Sequence, residues 1–331
     1  MTLSGARVLV TGGAGFVGSH IVDQLVDAGC QRIVVLDNMV RGQPANLSSA
    51  IARGPVTLID ADIRDTDGLN ALVRESDIVF HQAALRITHC VAEPDEAFAV
   101  MVRATFDLAQ MCIAHRVKKL VMASSASIYG MAEHFPTTES EAPYANRTLY
   151  GAAKLFGEGL LRAFNDMHGL RYVALRYFNV YGPRMDIHGR YTEVLIRWME
   201  RIESGAPPIV FGDGTESMDM INVQDVARAN ILAASADVDD IALNIGTETE
   251  TSLWELATLL ARIMGREDLE PGHAPRRAIN PVPRRLADIS AARQLLGFRP
   301  TINLEDGLKD LVAWWRAQRA SQPEAVAQVS L

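Results

Sequence analysis

The chain has few cysteines, few aromatic residues and no long apolar run. Its three cysteines, Cys30, Cys90 and Cys112, are odd in number and scattered over 331 residues, so they indicate neither a disulfide framework nor a zinc site. No run of about 18 apolar residues occurs that could span a membrane, and no basic and apolar leader opens the chain. These absences predict a cytoplasmic protein without a bound metal and without membrane association.

Positive charge is also scarce. Lys and Arg number 32 against 40 Asp and Glu, which gives a formal net charge of -8. This balance argues against nucleic acid or an anionic membrane surface as a partner. A phosphorylated small substrate stays open, because a local basic pocket can lie in an acidic protein. What the chain has in quantity is apolar residues, 48%, which suffice for one large α/β domain or two modest ones.

Short apolar runs alternate with segments of helical spacing through the first half of the chain. Strands are predicted at 7–10, 32–36, 56–59, 78–81, 119–123, 172–176 and 242–246. This rhythm predicts an α/β fold, a doubly wound parallel sheet with helices on both faces. Beyond residue 180, glycine and proline interrupt the pattern and indicate a smaller C-terminal α/β lobe. We expect the sheet domain in 1–180 with about 221–248 returning to it, the substrate lobe in 181–220 and 249–318, and a flexible tail in 319–331.

Glycines cluster directly after the first predicted strand. Gly12, Gly13, Gly15 and Gly18 fit both the GxGxxG and the GxxGxxG spacing, and a helical pattern follows them. A turn without side chains lets a pyrophosphate approach the backbone, and the helix N terminus offers free N–H groups with partial positive charge. The alternative is an ordinary glycine turn. The context favours a Rossmann-type dinucleotide site that Gly12 and Gly15 help to form.

Asp37 closes the second predicted strand, about 20 residues after the glycines. Its carboxylate can accept hydrogen bonds from both adenosine ribose hydroxyls and would repel a 2′-phosphate, so we predict NAD rather than NADP. Arg41 is the complication, because a guanidinium there could pair with that phosphate. Asp62 and Ile63, after the third strand, are candidates for the adenine ring, with an ordinary turn as the alternative. Small residues follow the fourth strand, where the chain passes close to the cofactor: Ala83 and Ala84.

A tyrosine and a lysine four residues apart, Tyr150 and Lys154, share one face of a predicted helix. A nearby ammonium and an oxidised nicotinamide would both lower the pKa of the phenol from about 10 toward neutrality, which makes Tyr150 a candidate general base. Lys154 could also hold the nicotinamide ribose, and we count Tyr150 with it among the cofactor-binding residues. Ser125 lies in a serine-rich turn after the fifth strand, at the sheet end where such folds bind ligands. We predict that its hydroxyl binds the reacting oxygen, and the alternative is an ordinary serine-rich turn. For Tyr150 and Lys154 the alternative is a core or surface position without a catalytic role.

Together these motifs resemble the extended short-chain dehydrogenase/reductase family, and within it the nucleotide-sugar epimerases and dehydratases. Further matches lie at 176–184 (RYFNVYGPR), 211–214 (FGDG), 222–227 (NVQDVA) and 286–290 (LADIS). The resemblance implies Tyr150 as base, Lys154 as its electrostatic partner and Ser125 as a hydrogen-bond donor, with NAD taking a hydride from the sugar, usually at C4. It also implies a homodimer through the helices near 93–115 and 150–168.

The resemblance implies further contacts by position. Four more cofactor contacts follow from it: Phe16, Val17, Asn38 and Tyr177. Six substrate contacts follow as well: Arg86, Ser127, Asn179, Arg184, Phe211 and Arg277. Phe211 is placed either to stack on the nucleotide base or to pack in the core. Met218 stands where relatives usually carry an arginine for the substrate diphosphate, so either another group supplies that contact or the substrate differs. The candidates are Arg184, Arg277, Arg284 and Arg285.

The residues after Ser125 separate the possible reactions. Dehydratases that resemble this chain usually carry an acidic pair there, and decarboxylating relatives a glutamate. Ala126 and Ser127 cannot act as carboxylate acids or bases. This favours NAD-dependent 4-epimerisation of a nucleotide sugar, a UDP-hexose, a UDP-hexuronate or an N-acetyl derivative. A nucleotide-sugar dehydratase and a 4-ketoreductase are alternatives, as is a non-catalytic dinucleotide sensor, which would not need Tyr150 and Lys154.

Overall fold

Strands and helices alternate along most of the computed structural model, which describes residues 2–187, 193–275 and 282–320. The strands are β1 (Arg7–Thr11), β2 (Arg32–Asp37), β3 (Val56–Asp60), β4 (Ile78–His81), β5 (Lys119–Ser125), β6 (Tyr172–Tyr177), β7 (Asn179–Tyr181), β8 (Ile209–Phe211), β9 (Ser217–Asn222), β10 (Ile241–Ile245), β11 (Glu250–Ser252) and β12 (Gly272–Ala274). The helices are α1 (Phe16–Asp27), α2 (Ser48–Arg53), α3 (Thr66–Arg74), α4 (Ile87–Ala92), α5 (Pro94–Phe98), α6 (Ala104–Ala114), α7 (Leu149–His168), α8 (Val194–Glu203), α9 (Val223–Ser235), α10 (Leu253–Ile263), α11 (Ser290–Leu296) and α12 (Leu304–Ala320). A π-helical turn, Ala99–Arg103, joins α5 to α6.

Seven of the strands form one parallel sheet in the order β10-β6-β5-β4-β1-β2-β3. Val8, Leu9 and Val10 of β1 are buried, as expected of a strand covered on both faces, which reads as a continuous apolar run. The chain leaves β1 toward β2 on one side and returns at β4 on the other. The carboxyl ends of β1 and β4 therefore flank the crevice in which such sheets bind ligands. The predicted doubly wound, Rossmann-type α/β fold is confirmed.

The segments after β6 build smaller sheets of their own. β7, β9 and β11 form a three-stranded sheet, and β8 pairs with β12. The helices α8, α10 and α12 pack in a separate apolar cluster that includes Trp198, Leu256, Leu311 and Trp315, while β10 returns to the main sheet beside β6. Helix α12 includes the first two residues of the expected tail, and 321–331 lie outside the described residues.

One continuous helical stretch, Pro94–Ala114, is long and apolar enough by length and composition to cross a membrane. However, Met101, Leu108 and Cys112 within it are buried in the core beside the main sheet. Core helices of soluble proteins meet the same criterion, so this stretch is only weak support for a membrane span.

Candidate functional site

The glycine loop connects the end of β1 to the start of α1. Gly12 has a φ of +69°, and a Cβ on it would lie 2.6 Å from the backbone nitrogen of Ala83. A Cβ on Gly18 would clash with the carbonyl oxygen of Gly12, so helix and loop can pack this closely only because both residues lack side chains. The N-cap of α1 is Gly15, which has no side chain to satisfy the N–H groups of the first turn. The loop therefore fits a dinucleotide pyrophosphate.

Asp37 is buried at the end of β2 and holds the glycine loop. Its Oδ2 accepts a hydrogen bond of 3.0 Å from the Ala14 N–H, and its Oδ1 accepts one of 3.0 Å from the Met39 N–H. Burial raises the pKa of this carboxyl, and the backbone donors oppose the shift. Arg41, the residue that complicated the cofactor prediction, points elsewhere, because its Nε lies 3.4 Å from Oδ2 of Asp186 in the segment after β7.

Asp62 and Ile63, the adenine candidates, follow β3. Asp62 forms a salt bridge of 2.7 Å to Arg64 and accepts a hydrogen bond of 3.0 Å from the Asn38 amide. Arg64 lowers the pKa of Asp62 to about 2, so this carboxylate is ionised at neutral pH. Ile63 is buried. The other predicted cofactor residues lie at or just after the ends of β4 and β6 or begin α1: Ala83, Ala84, Tyr177, Phe16 and Val17.

Tyr150 and Lys154 lie in the first turns of α7. The helix starts there because the hydroxyl of Thr148, its N-cap, accepts a hydrogen bond of 3.0 Å from the Gly151 N–H. The Nζ of Lys154 lies 5.8 Å from the centre of the Tyr150 ring. It donates a hydrogen bond of 2.7 Å to the carbonyl of Ala123 in β5. The lysine thus connects the face of the helix that carries Tyr150 to the carboxyl end of β5.

Burial governs the protonation of this pair. It lowers the pKa of Lys154 to about 8 and raises the pKa of Tyr150, and hydrogen bonding from the Ser125 hydroxyl opposes the shift of the phenol. The side chains alone therefore do not lower the pKa of the Tyr150 phenol toward neutrality, as the sequence predicted for the pair with NAD bound. The physical reason is desolvation, which disfavours a buried phenolate more than the neighbouring groups favour it.

A buried ion pair that the sequence analysis missed supports the same helix. Nη2 of Arg176 in β6 lies 2.6 Å from Oε2 of Glu158 in α7, and the Ser124 hydroxyl of β5 donates to the same carboxylate. Arg176 also donates a hydrogen bond of 2.8 Å to the Tyr129 hydroxyl. Glu158 follows Lys154 by four residues and so shares its helix face, which is the signal that could have revealed it.

Two predicted substrate residues lie close to the ends of β5 and β6. Ser127 donates its backbone N–H to the Ser125 hydroxyl oxygen at 3.1 Å. Asn179 begins β7, and its buried Oδ1 has no hydrogen-bond partner among the described residues. A buried acceptor of this kind is normally satisfied, so Asn179 is suited to a polar ligand group. Phe211 ends β8, and Arg277 lies outside the described residues.

The two described arginines predicted to bind substrate, Arg86 and Arg184, form ion pairs with different carboxylates. The guanidinium of Arg86, before α4, lies 3.5 Å from Glu193 and 3.7 Å from Asp186. Asp186 also forms an ion pair with Arg41. Arg41, Arg86, Asp186 and Glu193 therefore form one cluster of two cations and two carboxylates. Arg184 does not join this cluster in the described contacts, since its Nη1 lies 2.8 Å from Asp23 of α1. The prediction that Arg184 binds substrate gains no support from this position.

Residues 8–246 match the family model described as the NAD dependent epimerase/dehydratase family. The UDP-glucose 4-epimerase of Mycolicibacterium smegmatis is 35% identical, over 94% of this chain and 98% of that protein. The solved UDP-N-acetylglucosamine 4-epimerase from Methanobrevibacter ruminantium M1, in complex with UDP-N-acetylmuramic acid, is 33% identical with a TM-score of 0.89, over 95% of this chain and 99% of that one. The UDP-glucose 4-epimerase from Thermotoga maritima, solved with UDP-glucose, is 35% identical with a TM-score of 0.87, over 94% and 99%.

Proposed function

The chain belongs to the NAD dependent epimerase/dehydratase family, and from this we propose that it is an NAD-dependent 4-epimerase of a UDP-hexose or UDP-hexuronate. The observation that carries the proposal is the assembly of Ser125, Tyr150 and Lys154 at the carboxyl end of β5. Ala126 and Ser127 follow this serine, where the resembling dehydratases usually carry acids. The site thus has a base for an alcohol but no carboxylate at those two positions to remove water.

The glycine loop, Asp37, Tyr150 and Lys154 have separate roles in the proposed reaction. Gly12 and Gly15 would hold the pyrophosphate of NAD, and Asp37 the adenosine ribose. NAD held there would supply a hydride acceptor and donor for the sugar C4, with inversion requiring the keto sugar to rotate between the two transfers, and its charged nicotinamide would favour the Tyr150 phenolate. Tyr150 takes the proton of the C4 hydroxyl and later returns it. Lys154 keeps a positive charge beside the phenolate.

We assign the cofactor to the main sheet, residues 1–180 with about 221–248, and the substrate to the lobe formed by 181–220 and 249–318. Two features support this division. β10 completes the main sheet, and the second lobe has an apolar cluster of its own. Three free, buried cysteines support a reducing, cytoplasmic location.

Incubating the purified protein with UDP-glucose, UDP-glucuronate and UDP-N-acetylglucosamine tests the reaction. We expect at least one of them to give a product of unchanged mass that chromatography separates as the 4-epimer, without net consumption of NAD. A product lighter by water or carbon dioxide would refute simple epimerisation. Stoichiometric NADH or NADPH consumption would indicate a 4-ketoreductase, and the absence of any turnover would favour a sensor.

We also propose that the enzyme is a homodimer through the helices α5 to α7. An apolar groove between them is lined by Phe98, Phe106, Leu149 and Phe156 among others. Phe98 is 59% exposed and Phe156 is 41% exposed, and exposed apolar surface of this kind marks an interaction site. A second copy of the same groove would cover these rings and form a four-helix bundle.

Phe156→Glu is expected to convert the dimer to a monomer at micromolar concentration, because it buries a charge in the apolar interface. Sedimentation velocity measures the change. Met167→Glu is the matched control, since Met167 lies on the same helix, is 68% exposed and does not line the groove. A monomeric wild-type protein, or a Phe156→Glu variant that remains dimeric, would contradict this interface.

A further inference from the structure

A buried cation lies beside the proposed base. The side chain of Arg285 is almost enclosed, with the residue 9% exposed. Its Nη1 donates a hydrogen bond of 2.7 Å to the carbonyl of Ala126, the residue that follows Ser125. The guanidinium also interacts electrostatically with Tyr150. Arg285 therefore lies beside the turn that follows Ser125, with its charge directed toward Tyr150.

Among the described residues, no carboxylate forms a salt bridge with the Arg285 guanidinium. Burial lowers the pKa of Arg285 to about 10, so the group stays charged at neutral pH. A guanidinium has five N–H donors, and the Ala126 carbonyl accepts only from Nη1. A buried charge without a counter-charge costs free energy unless a ligand supplies one.

The other described arginines considered for the diphosphate are paired with carboxylates. Arg284 donates two hydrogen bonds of 2.7 Å and 2.8 Å to Glu250 on an exposed face, and Arg184 pairs with Asp23. Of the cations considered in place of Met218, Arg285 is the described one that is buried and not paired with an acid. Its backbone N–H also bonds the Ser217 carbonyl at 2.9 Å, so it lies beside the strand that carries Met218.

The position favours an anion on the sugar over the diphosphate. Tyr150 acts at C4, and in a pyranose C4 is bonded to C3 and C5, whereas C1, which carries the diphosphate, lies across the ring. A group beside Tyr150 and Ala126 is therefore nearer to the substituents of C3 and C5 than to the diphosphate. In the candidate substrates C3 carries a neutral hydroxyl, so an anion can stand only in the substituent of C5. In a hexuronate that substituent is a carboxylate, whose two oxygens match the fork of a guanidinium.

Building on the proposed epimerase function, we propose that Arg285 binds the C6 carboxylate of the substrate and thereby selects a UDP-hexuronate over the corresponding UDP-hexose. The residue is a specificity determinant and takes no proton or hydride. It leaves the reaction of Tyr150 at C4 unchanged.

Titration calorimetry on the NAD-loaded Tyr150→Phe protein, which cannot turn over, tests the assignment with UDP, UDP-glucose and UDP-glucuronate. Arg285→Met in this background is expected to weaken UDP-glucuronate binding by about 10- to 100-fold and to leave UDP and UDP-glucose unchanged. Arg262→Met, which removes a cation from an exposed ion pair with Glu305, is the control and should change none of the three. An equal loss for all three ligands would assign Arg285 to the diphosphate, and no loss for any would make it structural; both results overturn the proposal.

Two further measurements separate this proposal from the function on which it rests. Arg285→Lys, which keeps the charge but loses the fork, should retain part of the UDP-glucuronate affinity, and its thermal unfolding checks that the pocket is intact. Turnover of UDP-glucose by Arg285→Met, with Tyr150 restored, reports on the epimerase alone. If that reaction occurs while the calorimetry shows no selective loss, only the carboxylate assignment fails. If the wild-type protein epimerises nothing, the proposed function fails whatever the binding data show.

Discussion

Tyr150→Phe is expected to lower kcat for epimerisation by about 10²- to 10⁴-fold, the range that a positioned general acid or base contributes. Phenylalanine keeps the buried ring but has no oxygen to take the proton of the sugar hydroxyl. NAD should remain bound, because the glycine loop and Asp37 are untouched. Turnover is measured by chromatography of the nucleotide sugars, and bound NAD by its release after denaturation.

Tyr144→Phe provides the matched control for this variant. Tyr144 is 91% exposed, so losing its hydroxyl should change neither turnover nor the NAD content. Wild-type turnover in Tyr150→Phe would remove the phenol from the mechanism. Loss of both NAD and turnover would show that the variant damages the cofactor site, and Tyr150 could then not be assigned as the base from this experiment.

Glu158→Ala is expected to lower the free energy of unfolding by about 3–5 kcal/mol, the usual effect of removing one partner of a buried ion pair. The variant leaves the Arg176 guanidinium buried without its carboxylate and removes the acceptor of the Ser124 hydroxyl. Because the ion pair joins α7 to β6, turnover should fall as well. Urea unfolding followed by circular dichroism measures the loss.

An exposed ion pair gives the control. Glu203 lies 3.3 Å from Arg316, with both side chains nearly half exposed, so Glu203→Ala should cost under about 1 kcal/mol. The double variant Glu158→Leu with Arg176→Met should recover much of the stability, because it removes the charge together with its partner. A loss in Glu158→Ala no larger than that in Glu203→Ala would contradict the importance of the buried pair.

The strands of the main sheet were predictable because a strand buried on both faces appears in the sequence as a short continuous apolar run. The residues at which the strands end were harder to predict. β5 continues to Ser125 rather than stopping at Ala123, and its two serines pair with Arg176 and Tyr177 of β6. Polar residues at the end of a strand do not continue the apolar pattern, so the sequence does not indicate that the strand extends over them. The chemistry of the glycine loop, and the spacing of four in α7, could be recognised because each is contained in a short stretch.

Other parts of the site depend on contacts between distant segments. Arg41 meets Asp186, and Arg285 meets Ala126, although nothing near either residue in the sequence indicates its partner. The raised pKa of Tyr150 likewise comes from burial, which only the assembled pocket creates. In the second lobe, strands of three residues such as β7 and β12 are too short to show an alternating pattern, and this is why these short strands were not predicted.

The return of β10 to the main sheet has a consequence for how the protein can be made and divided. β6 is buried along its whole length and pairs on one side with Ile241–Ile245 of β10. During synthesis these residues leave the ribosome only after α8 and α9. Until then β6 presents an apolar strand edge of the kind that promotes association with other chains. A fragment that ends near residue 180 would keep this edge exposed, so we expect it to associate with other chains and expect a stable fragment to extend at least through Ile245.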